Sequence, residues 1–434
     1  MADFINDLMR GLMGLGCILA IAFAFGSNRK AINWSLVATG LLLQALFAVV
    51  VLKVSFVYQG LEAVAVFVIR LMDFTKEGTE FILGTFLMNP PEHWGYIIAF
   101  QVLPSIIFFS ALTSALYYLG ILQVCVFAFA WIMKKTMRLS GAESLAAAAN
   151  VFVGQTEAPL MVKPYISRMT RSEILALMSG GMATIAGGVL VAYIGMLGGE
   201  SEEMRVLFGT HFITASILSA PASLVIAKIL IPETEPVNQD MKIDKASIGD
   251  NIFDALSRGT TDGIRLAVNI GGVLLVFTAM IAMVNYMLSS WIGDWTGLNH
   301  LIAQSTGGKF DGLTLQLLFA LLFFPLAFLI GVPAQDLLFV GQLLGEKTVI
   351  NEFVAYTTLG AMKKAAVFSH PKSVIIAAYA LCGFANFASI GIQISNISIL
   401  APNQRGNLAA LGFKALVAGT LACLMTACFA GILA

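Results

Sequence analysis

The stretch Gly154-Gln-Thr-Glu-Ala-Pro159 decides how the rest of this sequence is interpreted. It places an amide, a hydroxyl and a carboxylate side by side, between a glycine and a proline, inside an otherwise apolar run at 146–161. Polar groups at the depth of a lipid bilayer persist only when they are buried in protein or line a wet cavity. The stretch is therefore either a solvated loop at a membrane surface or a ligand site held within the membrane.

The composition indicates a polytopic membrane protein. Of the 434 residues, 58% are hydrophobic and only 12% are charged, which is about half the charged share of a soluble protein. A chain with so little polar surface cannot cover a water-soluble globule. The net charge of zero gives no indication of a nucleic-acid partner. We interpret the five cysteines as packing residues, because they lie in apolar runs without a CxxC pair.

Eight segments are long and apolar enough to cross a bilayer, which takes about 20 residues per helix. They are residues 10–27, 34–54, 95–118, 173–198, 206–231, 264–290, 374–399 and 407–432. Residues 57–90 mix charged with apolar positions, which is typical of amphipathic helices that lie in the membrane interface. The segments 120–134 and 313–331 are apolar but short, and 232–262 is the long polar loop.

The basic residues predict the orientation, since Lys and Arg prefer the cytoplasmic side. An N-terminus outside the cytoplasm places most basic clusters inside, and eight crossings then return the C-terminus to the outside. The residues placed inside are Arg29, Lys30, Lys134, Lys135, Arg138, Arg168, Arg171, Lys242, Lys245, Arg258 and Arg405. Lys363, Lys364 and Lys372 fall outside and count against this scheme. We expect the chain in the cell (inner) membrane.

An internal repeat favours the ligand site over the solvated loop. Residues 139–169 and 333–364 are both interrupted apolar segments. An acid opens each, and another acid follows 14 residues later in the first (Glu143, Glu157) and 16 later in the second (Asp336, Glu352). Each is followed by a crossing broken by small and polar residues and by one more apolar helix. Paired interrupted segments, one per half, are typical of the midplane site of a secondary transporter. We expect two re-entrant hairpins that enter from opposite faces.

Four stretches resemble the concentrative nucleoside transporter family in order and spacing. They are Gly154-Gln-Thr-Glu-Ala-Pro159, Met182-Ala-Thr-Ile-Ala-Gly187, Asn351-Glu-Phe-Val-Ala-Tyr356 and Gly383-Phe-Ala-Asn-Phe-Ala-Ser-Ile-Gly391. The resemblance covers about residues 95–434, and the N-terminal crossings fit the bacterial eight-helix form. It implies an all-α polytopic membrane protein with eight transmembrane helices, two opposed re-entrant helical hairpins, interfacial helices and an inverted repeat.

The resemblance also implies a function and an assembly. Members of the family are homotrimers that import nucleosides with sodium, and some with protons, by an elevator-like alternation of access. The implied scaffold comprises 1–118 and, as a helix with an outer loop, 263–312. The implied transport domain comprises 119–262 with hairpin 1 and 313–434 with hairpin 2.

The resemblance assigns the two ends of the nucleoside to different residues. The positions matching the nucleobase contacts are Gln155, Thr156, Glu157, Val189 and Phe384. The positions matching the ribose contacts are Glu352, Asn386 and Ser389. The chemistry fits, because an amide and a hydroxyl can pair with a base edge in either sense. A carboxylate can accept hydrogen bonds from both ribose hydroxyls. Alternatively, Glu352 may only bridge its hairpin, Asn386 and Ser389 may bond only freed backbone, and Val189 and Phe384 may be core residues.

The coupling ion implied by the resemblance is sodium, and no other cofactor is expected. The matching ligands are Asn150, Val153, Thr184 and Ile185, where Thr184 replaces a serine common in the family. A proton that neutralises Glu157 or Glu352 could couple transport instead. The Thr184 hydroxyl could also simply bond the carbonyl four residues earlier in an intact helix.

An intramembrane enzyme is a further hypothesis. The four histidines are scattered, and the chain contains neither HExxH nor GxSxG. A channel would conduct without substrate. A transporter of amino acids or dicarboxylates would be expected to present a membrane Arg or Lys, whereas the predicted tips carry acids and amides. We therefore expect a transporter and no enzyme activity.

Overall fold

The computed structural model describes residues 2–85, 97–241 and 250–433, the side chains of 2–4 excepted, and every regular element in those ranges is helical. The longer helices of the first part are α1 (Ala2–Phe25), α2 (Trp34–Lys53), α3 (Ser55–Leu83), α4 (Leu103–Tyr118), α5 (Ile121–Met137), α6 (Gly141–Phe152), α7 (Arg171–Ala183), α8 (Gly187–Gly198) and α9 (Glu202–Leu230). Those of the second part are α10 (Ile252–Tyr286), α11 (Leu315–Leu329), α12 (Leu337–Gly345), α13 (Glu352–Lys364), α14 (Pro371–Leu381), α15 (Phe387–Leu400) and α16 (Arg405–Leu433).

Eight helical stretches within the described ranges have the length and hydropathy of a membrane crossing. They are Ile5–Phe25, Trp34–Lys53, Ser55–Leu83, Ile98–Tyr118, Arg171–Gly198, Glu202–Leu230, Ile252–Thr296 and Pro402–Leu433. Seven of them overlap predicted crossings. The remaining predicted crossing, 374–399, is divided into the shorter helices α14 and α15. The basic residues Lys242 and Lys245, which the orientation prediction uses, lie outside the described residues.

The segment predicted as interfacial helices, 57–90, differs from the expectation in one respect. Its described part is a single unbroken helix, α3, which is itself long and apolar enough to cross a membrane. Residues 86–90 lie outside the described residues. The charged positions of α3 do not interrupt it, because side chains such as Asp73 and Lys76, which pair at 3.7 Å, sit on one exposed face.

The internal repeat appears as the same order of elements in both halves. In the first half, interrupted segment 1 (141–166) precedes broken crossing 1 (171–198), which is followed by α9. In the second half, interrupted segment 2 (337–364) precedes broken crossing 2 (371–400), which is followed by α16. The closing helices α9 and α16 each have 29 residues and pack against each other.

Local sequence explains where the first-half helices begin. Ser140 and Glu143 form a capping box at the start of α6, in which each side chain binds the backbone N–H of the other residue. Thr170 and Glu173 form a second capping box at the start of α7. Such caps satisfy N–H groups that have no partner inside the helix. They fix the ends of the helices that carry the polar breaks.

Helices α4 and α10 pack closely through small residues. A methyl group on Gly259 of α10 would come within 2.7 Å of the Ser114 side chain of α4. One on Gly263 would come within 2.7 Å of Ile107 Cα. Small residues at such spacing let helix backbones approach closely in a membrane. The rest of α10 is little covered by the protein, because only 11% of its most apolar stretch is buried, against 89% in α9.

Candidate functional site

The helix breaks of the two halves meet in the interior of the fold. Gly383, in the break of broken crossing 2, has a φ of 129° and lies so close to broken crossing 1 that a Cβ there would be 2.7 Å from the Met182 carbonyl oxygen. A Cβ on Gly154, in interrupted segment 1, would be 2.9 Å from the Ala186 methyl group. Only glycine tolerates this conformation and these approaches. Helix ends from both halves therefore surround one region.

The break in interrupted segment 1 is closed by its own carboxylate. Helix α6 ends at Phe152, and the Glu157 Oε2 atom accepts a hydrogen bond of 2.8 Å from the Gly154 N–H. The chain turns because the Gly154 carbonyl accepts from the backbone N–H groups of Glu157 and Ala158. This turn leaves Thr156 exposed and Glu157 half-buried, while Gln155 is buried. The three polar side chains predicted to contact a nucleobase thus differ in their access to solvent.

Gln155 is held by the second half of the chain. Its Nε2 donates to the Ser389 hydroxyl at 3.3 Å, and its Oε1 accepts from Gln393 Nε2 at 3.0 Å. Gln393 also donates to the Met178 carbonyl at 3.0 Å. A predicted base contact and a predicted ribose contact are therefore direct neighbours. Sequence reasoning missed Gln393, although an amide one helical turn after Ser389, between two isoleucines, was the signal for it.

Glu352 is the most enclosed acid among the predicted ligands, with an exposed fraction of 4%. It is the first residue of α13, after Asn351, whose side chain accepts from the Val354 N–H as the N-cap. Its Oε2 accepts from Asn386 Nδ2 at 2.8 Å, and its Oε1 accepts from the Tyr193 hydroxyl at 3.3 Å. The carboxylate thus joins interrupted segment 2 to both broken crossings.

Asn386 has two roles at the break of broken crossing 2. Its Oδ1 accepts from the Ser389 N–H at 2.8 Å and so caps α15, while its Nδ2 holds Glu352. Since Asn386 binds another side chain as well, it does not serve only the freed backbone. The predicted apolar contacts are Val189, buried in the first turn of α8, and Phe384, buried in the break itself.

Tyr193 is a second residue that the sequence did not reveal. Its ring stacks on Tyr356 with centroids 4.1 Å apart, and it meets the Phe353 ring edge to face at 5.1 Å. The Tyr356 hydroxyl in turn donates to the Ala378 carbonyl at 2.8 Å, in the last turn of α14. Through the Tyr193 hydroxyl, this aromatic cluster helps to position the Glu352 carboxylate.

The predicted cation ligands lie at the ends of two helices. Asn150 is in the last turn of α6, where its Nδ2 donates to the Ala146 carbonyl at 2.9 Å. Its Oδ1 is buried and has no hydrogen-bond partner. Thr184 follows the last residue of α7 and donates its hydroxyl proton to the Gly180 carbonyl at 2.9 Å. The bond to the carbonyl four residues earlier is thus present, although Thr184 stands at the end of the helix and not inside it. The hydroxyl keeps its lone pairs for another partner.

The backbone positions of the same set fit this arrangement. Val153 and Ile185 are both buried beside a helix end, in the two breaks. Gly180 packs against the Asn150 amide, since a Cβ there would be 3.1 Å from Nδ2. The oxygens available at these helix ends are all neutral. They are the Asn150 Oδ1 atom, which has no hydrogen-bond partner, the Thr184 hydroxyl and the backbone carbonyls at the ends of α6 and α7. Hard cations prefer oxygen ligands of this kind, which helix breaks in transporters supply.

The cysteines are free thiols, but their interpretation as packing residues holds only in part. Cys382, Cys423 and Cys428 are buried, whereas Cys125 is exposed on α5. Cys125 lies on an apolar stretch that presents a face to the surroundings, so an apolar neighbourhood in sequence does not make it buried. Cys423 donates to the Cys382 carbonyl at 2.8 Å, at the break of broken crossing 2. The described residues contain no cluster of three His, Cys, Asp or Glu side chains suited to a metal ion.

Comparison with known proteins identifies the family. The profile of the "Na+ dependent nucleoside transporter C-terminus" matches residues 211–431, and that of the corresponding N-terminus matches residues 13–86. A "nucleoside recognition" gate profile matches residues 99–200. The chain belongs to the concentrative nucleoside transporter family. It is accordingly a membrane transporter and not an enzyme, and the family couples transport to sodium.

Individual relatives cover nearly the whole chain. An uncharacterized transporter of Haemophilus influenzae is 40% identical over 98% of this chain and 98% of its own length. The sodium/nucleoside cotransporter 1 of Rattus norvegicus is 36% identical over 97% of this chain, which spans 63% of the rat protein. The structure of CNTnw in an inward-facing, substrate-bound state superposes with a TM-score of 0.87, at 38% identity and 98% coverage of both chains.

Proposed function

We propose that this transporter is a sodium-coupled symporter that imports nucleosides by alternating access of an elevator type. The observation that carries the proposal is the meeting of Gln155, Glu352, Asn386 and Ser389, which come from interrupted segment 1, interrupted segment 2 and broken crossing 2. Such a set of amides, a hydroxyl and a carboxylate matches a neutral ligand with a planar polar edge at one end and hydroxyls at the other.

The base end of the nucleoside would lie against interrupted segment 1. Gln155 and the exposed Thr156 offer donors and acceptors to the base edge, and Glu157 offers a carboxylate. The apolar surface for the base would come from Val189 and Phe384, both of which lie at helix breaks. In the present arrangement Gln155 bonds Ser389 and Gln393, so binding a base would exchange at least one of these bonds.

The ribose would lie against interrupted segment 2. The Glu352 carboxylate accepts from Asn386 and Tyr193 and has acceptor capacity left for the ribose hydroxyls. Asn386 and Ser389 complete the polar side of this pocket. Charge-assisted hydrogen bonds of this type contribute about 1.5–3 kcal/mol each. The ribose half should therefore contribute a large share of the affinity.

Sodium would bind at Asn150, Val153, Thr184 and Ile185. The fit rests on the buried Asn150 Oδ1, which has no partner, and on the carbonyls freed where α6 and α7 end. A bound cation would fix the loop 153–157, which carries Gln155, Thr156 and Glu157. Ion and nucleoside would then raise the affinity for each other by the same factor, as linkage requires.

Movement of one domain against another would alternate access to this site. The proposed scaffold, 1–118 and 263–312, includes α4 and most of α10, while the proposed transport domain, 119–262 and 313–434, holds the site. Gly188 of α8 faces α4, where a Cβ at this position would lie 3.7 Å from Phe109 Cβ, so the contact between the two domains has no protruding side chain at this point. We propose that the interrupted segments are re-entrant hairpins that enter from opposite membrane faces.

The assembly and the orientation are proposals as well. Helix α10 presents exposed apolar side chains, among them Leu275, Val276, Met280 and Met283. A homotrimer would cover part of this surface and keep the scaffolds fixed. We place the chain in the inner membrane of the cell with both termini outside the cytoplasm.

The deciding experiment is uptake of labelled uridine into proteoliposomes. We expect an inward sodium gradient to drive accumulation, while a proton gradient without sodium should not. Uptake that is driven by external acid and does not depend on sodium would show that the coupling ion is a proton, bound at Glu157 or Glu352. Absence of uridine uptake under either gradient, with folded protein, would contradict the symport proposal.

A further inference from the structure

Gln393 binds two oxygen atoms beside the proposed base site through a single nitrogen. The side chain is 1% exposed, and its Nε2 donates to the Met178 carbonyl and to Gln155 Oε1, both at 3.0 Å. Its own Oε1 is buried and has no hydrogen-bond partner among the described residues. The amide of Gln393 therefore acts on its surroundings as a donor.

The Met178 carbonyl determines which way the Gln393 amide points. A backbone carbonyl can only accept a hydrogen bond, whereas a side-chain amide has a donor nitrogen and an acceptor oxygen. The nitrogen of Gln393 must face Met178, because a rotated amide would bring two oxygens together. Gly181 provides the space, since a Cβ there would be 2.7 Å from Gln393 Nε2 and 2.9 Å from Gln155 Cβ. The backbone of α7 thus sets the direction of this amide.

The same direction is passed on to Gln155. Its Oε1 faces the Gln393 nitrogen, so its own Nε2 faces the Ser389 hydroxyl, to which it donates at 3.3 Å. One N–H of Gln155 makes that bond and leaves the second N–H for a ligand. The Ser389 oxygen accepts, so its proton is left for a ligand as well. The sequence alone allows Gln155 to pair with a base in either sense, whereas this chain of bonds leaves donors on this side of the site.

We propose that Gln393 holds the Gln155 amide as a hydrogen-bond donor and thereby makes the site select nucleosides whose base carries an exocyclic carbonyl. Uridine presents the carbonyl oxygen O4 where cytidine presents an amino group, and inosine and adenosine differ in the same way at position 6. An amino group that meets an N–H donor forms no hydrogen bond, so both groups stay unpaired. Gln393 is a positioning residue, since it acts through Gln155. This inference rests on the proposed function for the class of ligand and adds the preferred base.

The test compares nucleoside affinities by titration calorimetry of the purified protein in detergent with sodium present. We expect the wild-type protein to bind uridine at least about 5-fold more tightly than cytidine, and inosine more tightly than adenosine. Gln393→Met keeps the length of the side chain but removes the donor, so Gln155 can rotate. The ratio of uridine to cytidine affinity should then fall below about 2. Equal affinities or a cytidine preference in the wild-type protein, or an unchanged ratio in Gln393→Met, would overturn the proposal.

Gln393→Glu should reverse the preference. A neutral carboxyl group would direct its proton to the Met178 carbonyl, and an ionised one has no proton, so in either state an acceptor oxygen faces Gln155. Gln155 would then turn its nitrogen towards this position and its oxygen towards the ligand. We expect the variant to prefer cytidine to uridine and adenosine to inosine. A folded Gln393→Glu protein that keeps the uridine preference would overturn the proposal.

Gln404→Met is the matched control. Gln404 is also a buried glutamine of the second half that donates to backbone carbonyls of the first half, those of Met169 at 3.0 Å and Ile166 at 3.2 Å. It lies directly before α16 and has no bond to Gln155, so its replacement should keep the wild-type ratio. An equal fall of the ratio in both variants would show a general effect of lost packing and would overturn the role of Gln393.

The same measurements distinguish this inference from the proposed function. If folded wild-type protein binds none of the four nucleosides, the proposed function fails, and the inference fails with it. If uridine and cytidine bind equally well, the proposed function stands and the inference alone is overturned. The wild-type ratio requires no substitution, so it tests the inference even if Gln393→Met does not fold.

Discussion

Asn386 Nδ2 donates to Glu352 Oε2 at 2.8 Å and thereby joins the break of one helix to the first turn of another. The same asparagine caps α15 through its Oδ1, so the position of the carboxylate depends on where that helix begins. A shift of broken crossing 2 relative to interrupted segment 2 would therefore move an acceptor of the ribose. This bond is a direct structural link between helix geometry and the ligand site.

Removing the charge of Glu352 should remove most transport. We expect Glu352→Gln to bind uridine about 10- to 150-fold more weakly, because charge-assisted hydrogen bonds to the ribose are lost. The measurement is initial uptake in proteoliposomes, with protein content verified by immunoblot. Uptake at the wild-type rate would exclude Glu352 from the ribose role.

A ligand without ribose hydroxyls should reproduce that loss in the wild-type protein. We expect 2′,3′-dideoxyuridine to bind about 10- to 150-fold more weakly than uridine, since the polar groups of the site remain unpaired. Competition against labelled uridine measures this ratio. The ratio should fall towards one in Glu352→Gln. A ratio that is unchanged in this variant would place the ribose elsewhere.

Thr184 should affect the sodium dependence of uptake. Thr184→Ala removes a hydroxyl from the proposed ion site, so the sodium concentration for half-maximal uptake should rise several-fold. Ser179→Ala is the matched control, because Ser179 lies on the same helix and also donates to the carbonyl four residues earlier, Leu175, at 2.5 Å. An identical sodium curve for Thr184→Ala and the control would exclude Thr184 as a ligand.

Gln393 should contribute to binding although the sequence did not indicate it. Gln393→Leu removes one hydrogen bond to Gln155 and one to the Met178 carbonyl. A net contribution of about 0.5–1.5 kcal/mol per bond predicts a loss of uridine affinity of about 2- to 12-fold per bond. Gln44→Leu is the control, since Gln44 is equally buried but bonds Thr426, away from the site. Equal losses in both variants would argue for a general packing effect.

Gly383 should tolerate no side chain. Its φ of 129° and the nearby Met182 carbonyl predict that Gly383→Ala destabilises the fold by about 1–3 kcal/mol. The thermal midpoint in detergent should fall clearly. Gly391→Ala, in the interior of α15 where a Cβ meets nothing within 4 Å, should leave the midpoint unchanged or raise it. A wild-type midpoint for Gly383→Ala would show that the two broken crossings are not packed as described.

The features that depend on local sequence could be predicted, whereas those that depend on packing could not. Apolar length revealed the crossings, and the polar interruptions revealed the breaks beside Gly154 and Gly383. Gln393 and Tyr193 were missed because their partners, Gln155 and Glu352, lie far away in the sequence, and neither side chain has a local meaning until that partner is known. Cys125 was misjudged for a related reason, since an apolar face in a membrane protein can face outwards.

The most direct test of the account is a structure of this transporter with uridine and sodium bound. We predict that the base lies within hydrogen-bonding distance of Gln155 and Thr156, that the ribose hydroxyls lie within hydrogen-bonding distance of Glu352, and that a cation lies beside Asn150 Oδ1 and Thr184. Uridine bound away from the meeting point of the four breaks, or a ribose with no contact to Glu352, would contradict it.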